Sequence, residues 1–250
     1  MALIIEIDNL THRFADGTIG LDGVRLEIEE GAFVIVAGAN GSGKTTLLRH
    51  LNGLLLPTSG SVRVAGASVK ENPMQARVLV GMVFQEADSQ IVGETVREDV
   101  AFGPENLRLG RAEIDRRVRE ALAVTGLMHL ADKRPHLLSG GEKRRLAIAG
   151  ILAMQPRVIV FDEPFSNLDY PGVRQVLEQI LGQHRAGRTI IVTTHDLEKV
   201  LAHADRLVFM RAGRIEADGP PPALIARAES FGVRPPRAAQ LGVEGLSWLS

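Results

Sequence analysis

Cysteine is absent from the 250-residue sequence, aromatic residues are rare, and no long apolar run is present. The lack of cysteine excludes disulfide bonds, cysteine-based metal sites and thiol catalysis, and it fits a reducing compartment. Aromatic residues make up only 4% of the chain, which argues against stacking platforms for single-stranded nucleic acid. No apolar stretch approaches the roughly 20 residues that a membrane-spanning helix needs. We therefore expect a chain that is soluble by itself and that reaches a membrane only through another protein.

A strong charge of either sign is also lacking. The formal net charge is −1, so nothing indicates a broad nucleic-acid surface, and we expect no nucleic-acid partner. The N-terminus lacks the basic start of a signal peptide, and acidic residues interrupt its apolar run early. A hydrophobic share of 45% is normal for a globular protein with a real core.

A glycine-rich stretch at residues 38–46 is the feature around which the rest of the sequence is arranged. It follows an apolar run at 33–37 that predicts a buried strand, and it precedes residues 47–52, which predict the start of a helix. In this context the backbone N–H groups of the loop and the helix N-terminus converge on an anion, so the pattern predicts a phosphate-binding loop. The alternative, an ordinary glycine-rich turn, is disfavoured by the strand and the helix on either side. The residues that we assign to nucleotide binding here are Gly38, Asn40, Gly41, Ser42, Gly43, Lys44, Thr45 and Thr46.

Two chemical roles follow within this loop. Lys44 can reach the β- and γ-phosphates of a nucleotide, and the hydroxyl of Thr45 can ligate Mg²⁺. An acidic pair, Asp162 and Glu163, follows the continuous apolar run at 158–161, which is typical of a central parallel strand. Buried acids at a strand end are costly unless they have a role, so Asp162 suits Mg²⁺ coordination and Glu163 suits the polarisation of a water. A plain acidic loop is the weaker alternative.

Two further polar residues follow predicted strands. Gln85 comes after an apolar strand at 79–84, and His195 comes after a strand at 188–194. In an α/β sheet such positions point toward the edge where ligands bind. Taken singly, Gln85 could cap a loop and His195 could be a satisfied polar group. Together with the acidic pair, His195 becomes a candidate contact for the γ-phosphate.

The block from residue 86 to about residue 155 has a helical character. Helices are predicted over 111–125 and 140–154, and the string Ser139, Gly140, Gly141 forms a second anion-binding helix N-terminus. Ser139 and Glu142 also have the spacing of a capping box, and we expect both interpretations to hold. The basic cluster at residues 143–145 is interpreted as a solvated helix face.

The ends of the chain carry less information. Short alternating strands are predicted at 3–7, 24–29 and 61–66, with a turn-rich stretch at 11–17. Phe14 in that stretch could stack on an adenine ring, although a core phenylalanine at a strand end is the favoured interpretation. After residue 219 a proline run marks a boundary, followed by one helix, a Pro235-Pro236 break and a short helical piece with Trp248.

Taken together, these motifs resemble the ATP-binding cassette ATPases over roughly residues 4–219. The matching motifs, in the order and spacing of that family, are Gly38 to Thr45 (the Walker A loop), Gln85 (the Q-loop), Leu138 to Glu142 (the signature), Val158 to Glu163 (Walker B and the catalytic glutamate), Ser166 to Asp169 (the D-loop) and His195 (the switch histidine). Phe14 lies where the family often has an adenine-stacking tyrosine. Glu142 stands at the usual glutamine of the signature.

The resemblance implies a fold and a domain organisation. It implies an α/β P-loop NTPase (RecA-like) core with a mostly parallel sheet, an N-terminal antiparallel β subdomain and an inserted α-helical subdomain. The expected ATPase domain spans residues 1–219, with the helical subdomain at about 86–155. Residues 220–250 are expected to form a C-terminal helical extension.

The resemblance also implies a mechanism with ATP and Mg²⁺. Two chains would form a head-to-tail dimer, in which Ser139, Gly140 and Gly141 of one chain close over the nucleotide held by the other. Glu163 would be the general base, His195 would support the γ-phosphate, and Gln85 would help to arrange Mg²⁺ and water. The metal site would comprise Thr45, Gln85 and Asp162.

Two stretches resemble a narrower group, the energy-coupling factor ATPases of vitamin and cobalt or nickel importers. They are residues 85–90 together with 95–104, and residues 231–236, although Glu86-Ala87-Asp88 stands where that group often has Asn-Pro-Asp. This resemblance implies a second ATPase subunit, identical or related, a transmembrane coupling protein and a membrane solute-binding subunit. It places the chain at the cytoplasmic face of the membrane as a peripheral protein. The alternatives are the ATPase of another importer type, a soluble ATPase without a transporter, and a non-hydrolysing regulatory partner.

Overall fold

The structure is a computed structural model and describes residues 2–237 and 247–249. The strands in chain order are β1 (Leu3–Arg13), β2 (Ile19–Glu29), β3 (Phe33–Ala37), β4 (Ser59–Val64), β5 (Ala67–Ser68), β6 (Val80–Val83), β7 (Val158–Asp162), β8 (Thr189–Thr194), β9 (Arg206–Arg211) and β10 (Arg214–Gly219). They form a six-stranded sheet of order β10-β9-β3-β8-β7-β6 and a four-stranded sheet of order β2-β1-β4-β5.

The larger sheet is parallel except at one edge. Strand β3 pairs in parallel with β8 and β9, and β7 pairs in parallel with β6 and β8. Only β10 is antiparallel to its neighbour, β9. Every residue of β3, β7 and β8 is buried, as expected for central strands that are covered on both faces. The predicted mostly parallel core sheet is therefore confirmed.

The smaller sheet is antiparallel and comes mainly from the N-terminal part of the chain, as predicted. Its strands β1 and β2 are longer than the sequence indicated. Residues 11–13, predicted as part of a turn, continue β1 because Leu10 and His12 are buried against the opposite strand. The turn proper is tighter and closes where the N–H of Phe14 donates to the carbonyl of Thr18 over 2.9 Å.

The helices are α1 (Lys44–Leu51), α2 (Pro73–Leu79), α3 (Val96–Asn106), α4 (Arg111–Val124), α5 (Gly140–Met154), α6 (Tyr170–Arg185) and α7 (Pro221–Leu224). Helices α4 and α5 lie where predicted, and Glu113 and Arg117 form a 2.7 Å ion pair on α4. The sequence did not predict α2 and α3. A capping box of Thr95 and Glu98 begins α3, and Asn72 caps α2.

Two hydrophobic cores lie on opposite faces of the larger sheet. Phe33 and Ile35 of β3 belong to the core shared with α3, α4, α5 and α6. Val34 and Val36 of the same strand belong to the core shared with α1 and the antiparallel sheet. Successive side chains of a strand point to opposite faces of the sheet, which explains this alternation. Strand β3 and the loop after it are therefore packed between the two cores.

After β10 the chain forms α7 and a 3₁₀ helix, Ile225–Phe231, where one helix was predicted. The ring of Phe231 stacks on Phe209 of β9 at 4.6 Å between centroids. The second helical piece predicted after Pro236 falls largely on residues 238–246, outside the described residues. The division into domains at residue 219 stays a prediction. Within the described ranges, no helix is both long enough and apolar enough to cross a membrane.

Candidate functional site

The loops that follow four parallel strands meet around one cavity of about 420 Å³. The loop after β3, Gln85 two residues after β6, and the residues directly after β7 and β8 all contribute. The lining residues are Phe14, Thr18, Ile19, Gly20, Asn40, Gly41, Ser42, Gly43, Lys44, Thr45, Thr46, Gln85, Glu163 and His195. Eleven of the predicted site residues therefore meet at one cavity. Thr18, Ile19 and Gly20 were not predicted, because nothing in their local sequence pattern marks them.

Two glycines of the loop after β3 are required by close approach. A side chain at Gly38 would lie 2.3 Å from the carbonyl oxygen of Met210. Gly43 has a φ of +103°, and a side chain there would lie 2.9 Å from the carbonyl of Gly20. Helix α1 begins immediately afterwards at Lys44, so its N-terminus faces the cavity.

Lys44 is buried at this helix N-terminus. Its ammonium donates to the carbonyls of Gly38 at 2.8 Å and Ala39 at 3.1 Å, and it lies 4.0 Å from Oε1 of Glu163. Burial lowers the pKa of Lys44, and the negative charges of Glu163 and Asp162 oppose that shift. Gly38 does not line the cavity itself, but its carbonyl accepts from Lys44, which does.

Ser42 of the phosphate-binding loop has a buried hydroxyl. Its Oγ has no hydrogen-bond partner among residues 2–237 and 247–249, although the side chain lines the cavity. A buried polar atom without a partner is unfavourable unless a ligand satisfies it. This observation supports a polar ligand in the cavity.

Asp162 lies beneath the cavity, at the end of β7. Its Oδ2 accepts from the hydroxyl of Thr45 at 2.8 Å, and its Oδ1 accepts from the hydroxyl of Thr193 at 2.6 Å. A carboxylate and a hydroxyl this close, with the amide of Gln85 on the same cavity, form the oxygen-rich donor set that Mg²⁺ prefers. The residues present therefore fit Mg²⁺. The contact from Thr193 was missed by sequence reasoning.

Glu163 combines an unusual backbone with a carboxylate held in the cavity. Its φ is +48°, a left-handed conformation that is uncommon outside glycine, and its N–H donates to the carbonyl of Thr193 at 3.1 Å. Its Oε1 lies 2.9 Å from Nδ1 of His195, with which it shares a hydrogen bond. A carboxylate oriented by an imidazole and facing a cavity can accept a proton from a bound water.

Phe14 is 39% exposed and lines the cavity. The favoured interpretation of Phe14 as a core residue is therefore wrong: the tight turn after β1 carries the ring out of the core. Its edge packs against the ring of His12 at 4.7 Å between centroids. The exposed ring leaves an apolar surface for a flat ligand group.

Arg144 corrects the expectation for the basic cluster. Lys143 and Arg145 remain partly exposed, but Arg144 is only 4% exposed and donates to the backbone carbonyls of Phe84 and Gln85. The helical phase explains the difference, because Arg144 lies on the same face of α5 as the buried residues Ala147 and Ile148.

Ser139, Gly140 and Gly141 are not brought to the cavity. They lie at the exposed beginning of α5, where Ser139 and Glu142 form the predicted capping box. The N–H of Ser139 donates to Glu142 at 2.7 Å, which lowers the pKa of that carboxyl. One chain alone therefore does not unite these residues with the phosphate-binding loop.

A family model described as ABC transporter matches residues 21–166. The chain belongs to this family. An ABC transporter ATP-binding protein of Halobacterium salinarum, described as putative, is 50% identical over 93% of this chain and all of its own length. The energy-coupling factor transporter ATP-binding protein EcfA of Methanocaldococcus jannaschii is 43% identical over 95% of this chain and 88% of its own. The cobalt import ATP-binding protein CbiO of Rhodobacter capsulatus is 42% identical over 97% and 89%.

Solved structures of ABC ATPases agree with this assignment. CbiO1 of Clostridium perfringens, part of the transporter complex cbiONQ, superposes with a TM-score of 0.83 at 36% identity, covering 97% of this chain and 99% of its own. A dimeric ATP-binding cassette with bound ADP and Pi, in a post-hydrolysis state, superposes with a TM-score of 0.78 at 28% identity, covering 87% and 98%. The chain is an ATP-binding and ATP-hydrolysing subunit of the ABC transporter family with the α/β P-loop fold.

Proposed function

We propose that this ABC ATPase powers the uptake of a micronutrient, a vitamin or a cobalt or nickel ion, as part of an energy-coupling factor complex. The observation that carries the ATPase part is the single cavity at which Lys44, Thr45, Glu163 and His195 meet. The transport part is supported by relatives named EcfA and CbiO, which align over nearly the whole chain.

The residues of the cavity have complementary tasks in ATP hydrolysis. Lys44 and the backbone amides of the loop bind the phosphates, and Phe14 supports the adenine ring. Thr45, Asp162 and Gln85 hold Mg²⁺, which neutralises charge on the phosphates when it is bound. Glu163 takes the proton of the attacking water, and His195, 2.9 Å from Glu163, orients that carboxylate and supports the γ-phosphate.

The signature residues complete the site from a second chain. Ser139, Gly140 and Gly141 lie at an exposed helix N-terminus away from their own cavity, which is what a head-to-tail dimer needs. In such a dimer each helix α5 points its N-terminus at the γ-phosphate held by the partner. Hydrolysis then depends on closure of the dimer, and closure drives transport.

The partners follow from the same proposal. A second ATPase subunit, identical or related, forms the dimer; a transmembrane coupling protein receives its motion; and a membrane-embedded subunit binds the solute. The chain then works at the cytoplasmic face of the membrane, held there by the coupling protein.

A Glu163→Gln variant tests the catalytic assignment. Loss of the general base should lower the ATPase rate by about 10²–10⁴-fold, while ATP affinity stays within about twofold and ATP now traps a closed dimer. Steady-state ATPase assays, fluorescent-nucleotide binding and size-exclusion chromatography measure the three quantities. Glu178→Gln makes the same chemical change on the exposed surface of α6 and should behave like the wild type. Turnover by Glu163→Gln at the wild-type rate would refute the role of Glu163.

Co-purification tests the transporter assignment. The tagged chain should be recovered from gently solubilised native membranes with a transmembrane scaffold and a small membrane-embedded solute binder. Recovery with a conventional permease pair and an external binding protein would retain the ATPase and reject the energy-coupling factor type. Recovery only in the soluble fraction with nucleic acid or ribosomes would favour a non-transport ATPase.

A further inference from the structure

Arg144 connects helix α5 to the backbone of the segment that follows β6. One guanidinium nitrogen donates to the carbonyl of Phe84 at 2.5 Å, and the other donates to the carbonyl of Gln85 at 2.6 Å. Both acceptors are backbone atoms of consecutive residues, so the planar fork of the guanidinium matches them as a pair. The contact therefore fixes backbone position at Gln85 and does not merely satisfy a side chain.

This arrangement is energetically demanding. Arg144 is 4% exposed, and no carboxylate lies within ion-pair distance of it in the part of the chain that the structure describes. Burial lowers the pKa of Arg144, and the negative charges of Glu86 and Asp162 oppose that shift. A guanidinium remains charged in proteins, and its direct hydrogen-bond partners here are the two backbone carbonyls.

Neighbouring contacts stiffen the same segment, residues 84–90. Lys143 forms a 2.6 Å ion pair with Asp88, which attaches the segment to α5 a second time. Within the segment, the side chain of Gln90 accepts from the N–H of Phe84 at 3.1 Å and donates to the carbonyl of Met82 at 3.2 Å. Residues 84–90 and the first turns of α5 are therefore one connected unit.

The two ends of this unit lie in different places, one at the nucleotide cavity and one outside it. The side chain of Gln85 lines the nucleotide cavity of its own chain. Ser139 and Gly141, at the other end, lie on the exposed beginning of α5 and outside that cavity. The Arg144 contacts thus join the backbone at Gln85 directly to the first turns of α5.

We propose that Arg144 is a positioning residue that couples the two ATP sites of the dimer. It transmits the state of Gln85 in one site to the signature residues Ser139–Gly141 that complete the other site, and so makes hydrolysis at the two sites cooperative. The inference rests on the head-to-tail dimer of the proposed function.

The test compares Arg144→Lys and Arg144→Met with the wild type as full-length protein. Lysine retains the charge but lacks the fork, so both variants should lower the Hill coefficient for ATP from near 2 toward 1 and lower kcat about tenfold. Affinity of the single chain for a fluorescent ATP analogue should stay within twofold, which separates coupling from nucleotide binding. Arg188→Lys is the matched control, because Arg188 is also partly buried and donates to a backbone carbonyl, that of Pro156 at 3.2 Å.

A double variant shows whether Arg144 acts through Gln85. If it does, Arg144→Lys should have little further effect on kcat once Gln85→Ala is present, since coupled residues are not additive. Equal fold-losses in the two backgrounds, or a Hill coefficient unchanged in both Arg144 variants, would overturn the inference while leaving the proposed function intact. A wild-type protein that forms no ATP-dependent dimer and shows no cooperativity would overturn both.

Discussion

The hydroxyl of Thr193 donates to Oδ1 of Asp162 over 2.6 Å, deep under the nucleotide cavity. The same hydroxyl oxygen accepts from the N–H of Glu163 at 3.2 Å. One buried threonine on β8 thus contacts both the carboxylate of Asp162 and the backbone of Glu163 at the end of β7. This links the carboxylate that we assign to Mg²⁺ with the backbone of the residue that we assign to the attacking water.

Replacing Thr193 should weaken the use of Mg²⁺. Thr193→Val keeps the shape but removes the only donor to Oδ1 among the described residues, leaving a buried carboxylate oxygen without a partner. Loss of such an outer partner typically costs about 10–100-fold in metal affinity or activity. We expect the Mg²⁺ concentration for half-maximal ATPase to rise by about tenfold, and electron paramagnetic resonance of bound Mn²⁺ gives a readout independent of turnover.

Two variants frame this prediction. Thr193→Ser retains the hydroxyl and should restore most of the affinity. Thr189→Val alters another buried threonine of β8, whose hydroxyl accepts from the N–H of Gly31 at 2.9 Å far from the acids. It should lower stability without changing the Mg²⁺ dependence; an equal Mg²⁺ shift in Thr189→Val would show that strand damage, not orientation of Asp162, is the cause.

Phe14 should contribute to nucleotide affinity only by stacking on the adenine base, and not through the phosphates. Stacking on an aromatic ring is typically worth about 1–3 kcal/mol, so Phe14→Ala should raise the Kd for ATP by about tenfold, while Phe14→Tyr should stay near the wild type. Isothermal titration calorimetry with ATP and with inorganic tripolyphosphate separates the two halves of the ligand. Tripolyphosphate lacks a base and should bind both proteins equally; a matching loss for it would argue that Phe14 only shapes the loop.

Glu142 should be replaceable by glutamine but not by alanine. Its carboxylate accepts from the N–H of Ser139 at 2.7 Å, a role that a glutamine amide oxygen also performs. Glu142→Ala should destabilise the protein by roughly 0.5–1 kcal/mol and Glu142→Gln by much less, as measured by urea unfolding at neutral pH. Because the pKa of Glu142 is lowered in the folded protein, its share of stability should persist above about pH 4.5 and disappear as the pH falls further. Equal stability of the two variants would contradict the capping role.

His50 should make stability sensitive to mild acid. It is fully buried beside His12, with Nε2 3.2 Å from Nδ1 of that residue, and burial lowers the pKa of His50 from its usual value of 6.5. The unfolded chain takes up a proton at His50 below about pH 6.5 while the folded chain does not, so stability falls as the pH drops through that range. The slope from one such group is at most about 1.4 kcal/mol per pH unit.

His50→Asn should remove that part of the pH dependence, because asparagine can donate to the carbonyl of Thr46 without titrating. Urea midpoints at pH 5.5 and 7.5 measure it. His129→Asn alters an exposed histidine and should leave the difference between the two midpoints unchanged. A pH dependence that survives in His50→Asn would assign the effect to other groups.

Elements with strong local signals were predictable from the sequence. The uninterrupted apolar run of β7 and the capping box at the beginning of α5 place those elements with no reference to the rest of the chain. The convergence of Gln85, Glu163 and His195 followed from their shared position after parallel strands. These sequence patterns predict structure well because they follow directly from the geometry of strands, helices and parallel sheets.

Residues whose role depends on a distant partner were not predictable in the same way. In the sequence Thr193 is one more β-branched residue of a strand, and only the neighbouring β7 gives its hydroxyl a task. Arg144 differs from Lys143 and Arg145 only through its helical phase relative to Ile148, a signal that was available. Phe14 lies outside the core because of a tight turn that the neighbouring residues do not predict.

The left-handed backbone of Glu163 affects which substitutions would stabilise this protein. A left-handed non-glycine residue carries strain of about 1–3 kcal/mol, which a glycine at the same φ of +48° would relieve. Selection for thermal stability alone would therefore favour Glu163→Gly. That variant would be more stable but would lack the carboxylate that we assign to the attacking water. At this position the carboxylate is kept at the cost of backbone strain, so catalytic function and stability favour different residues.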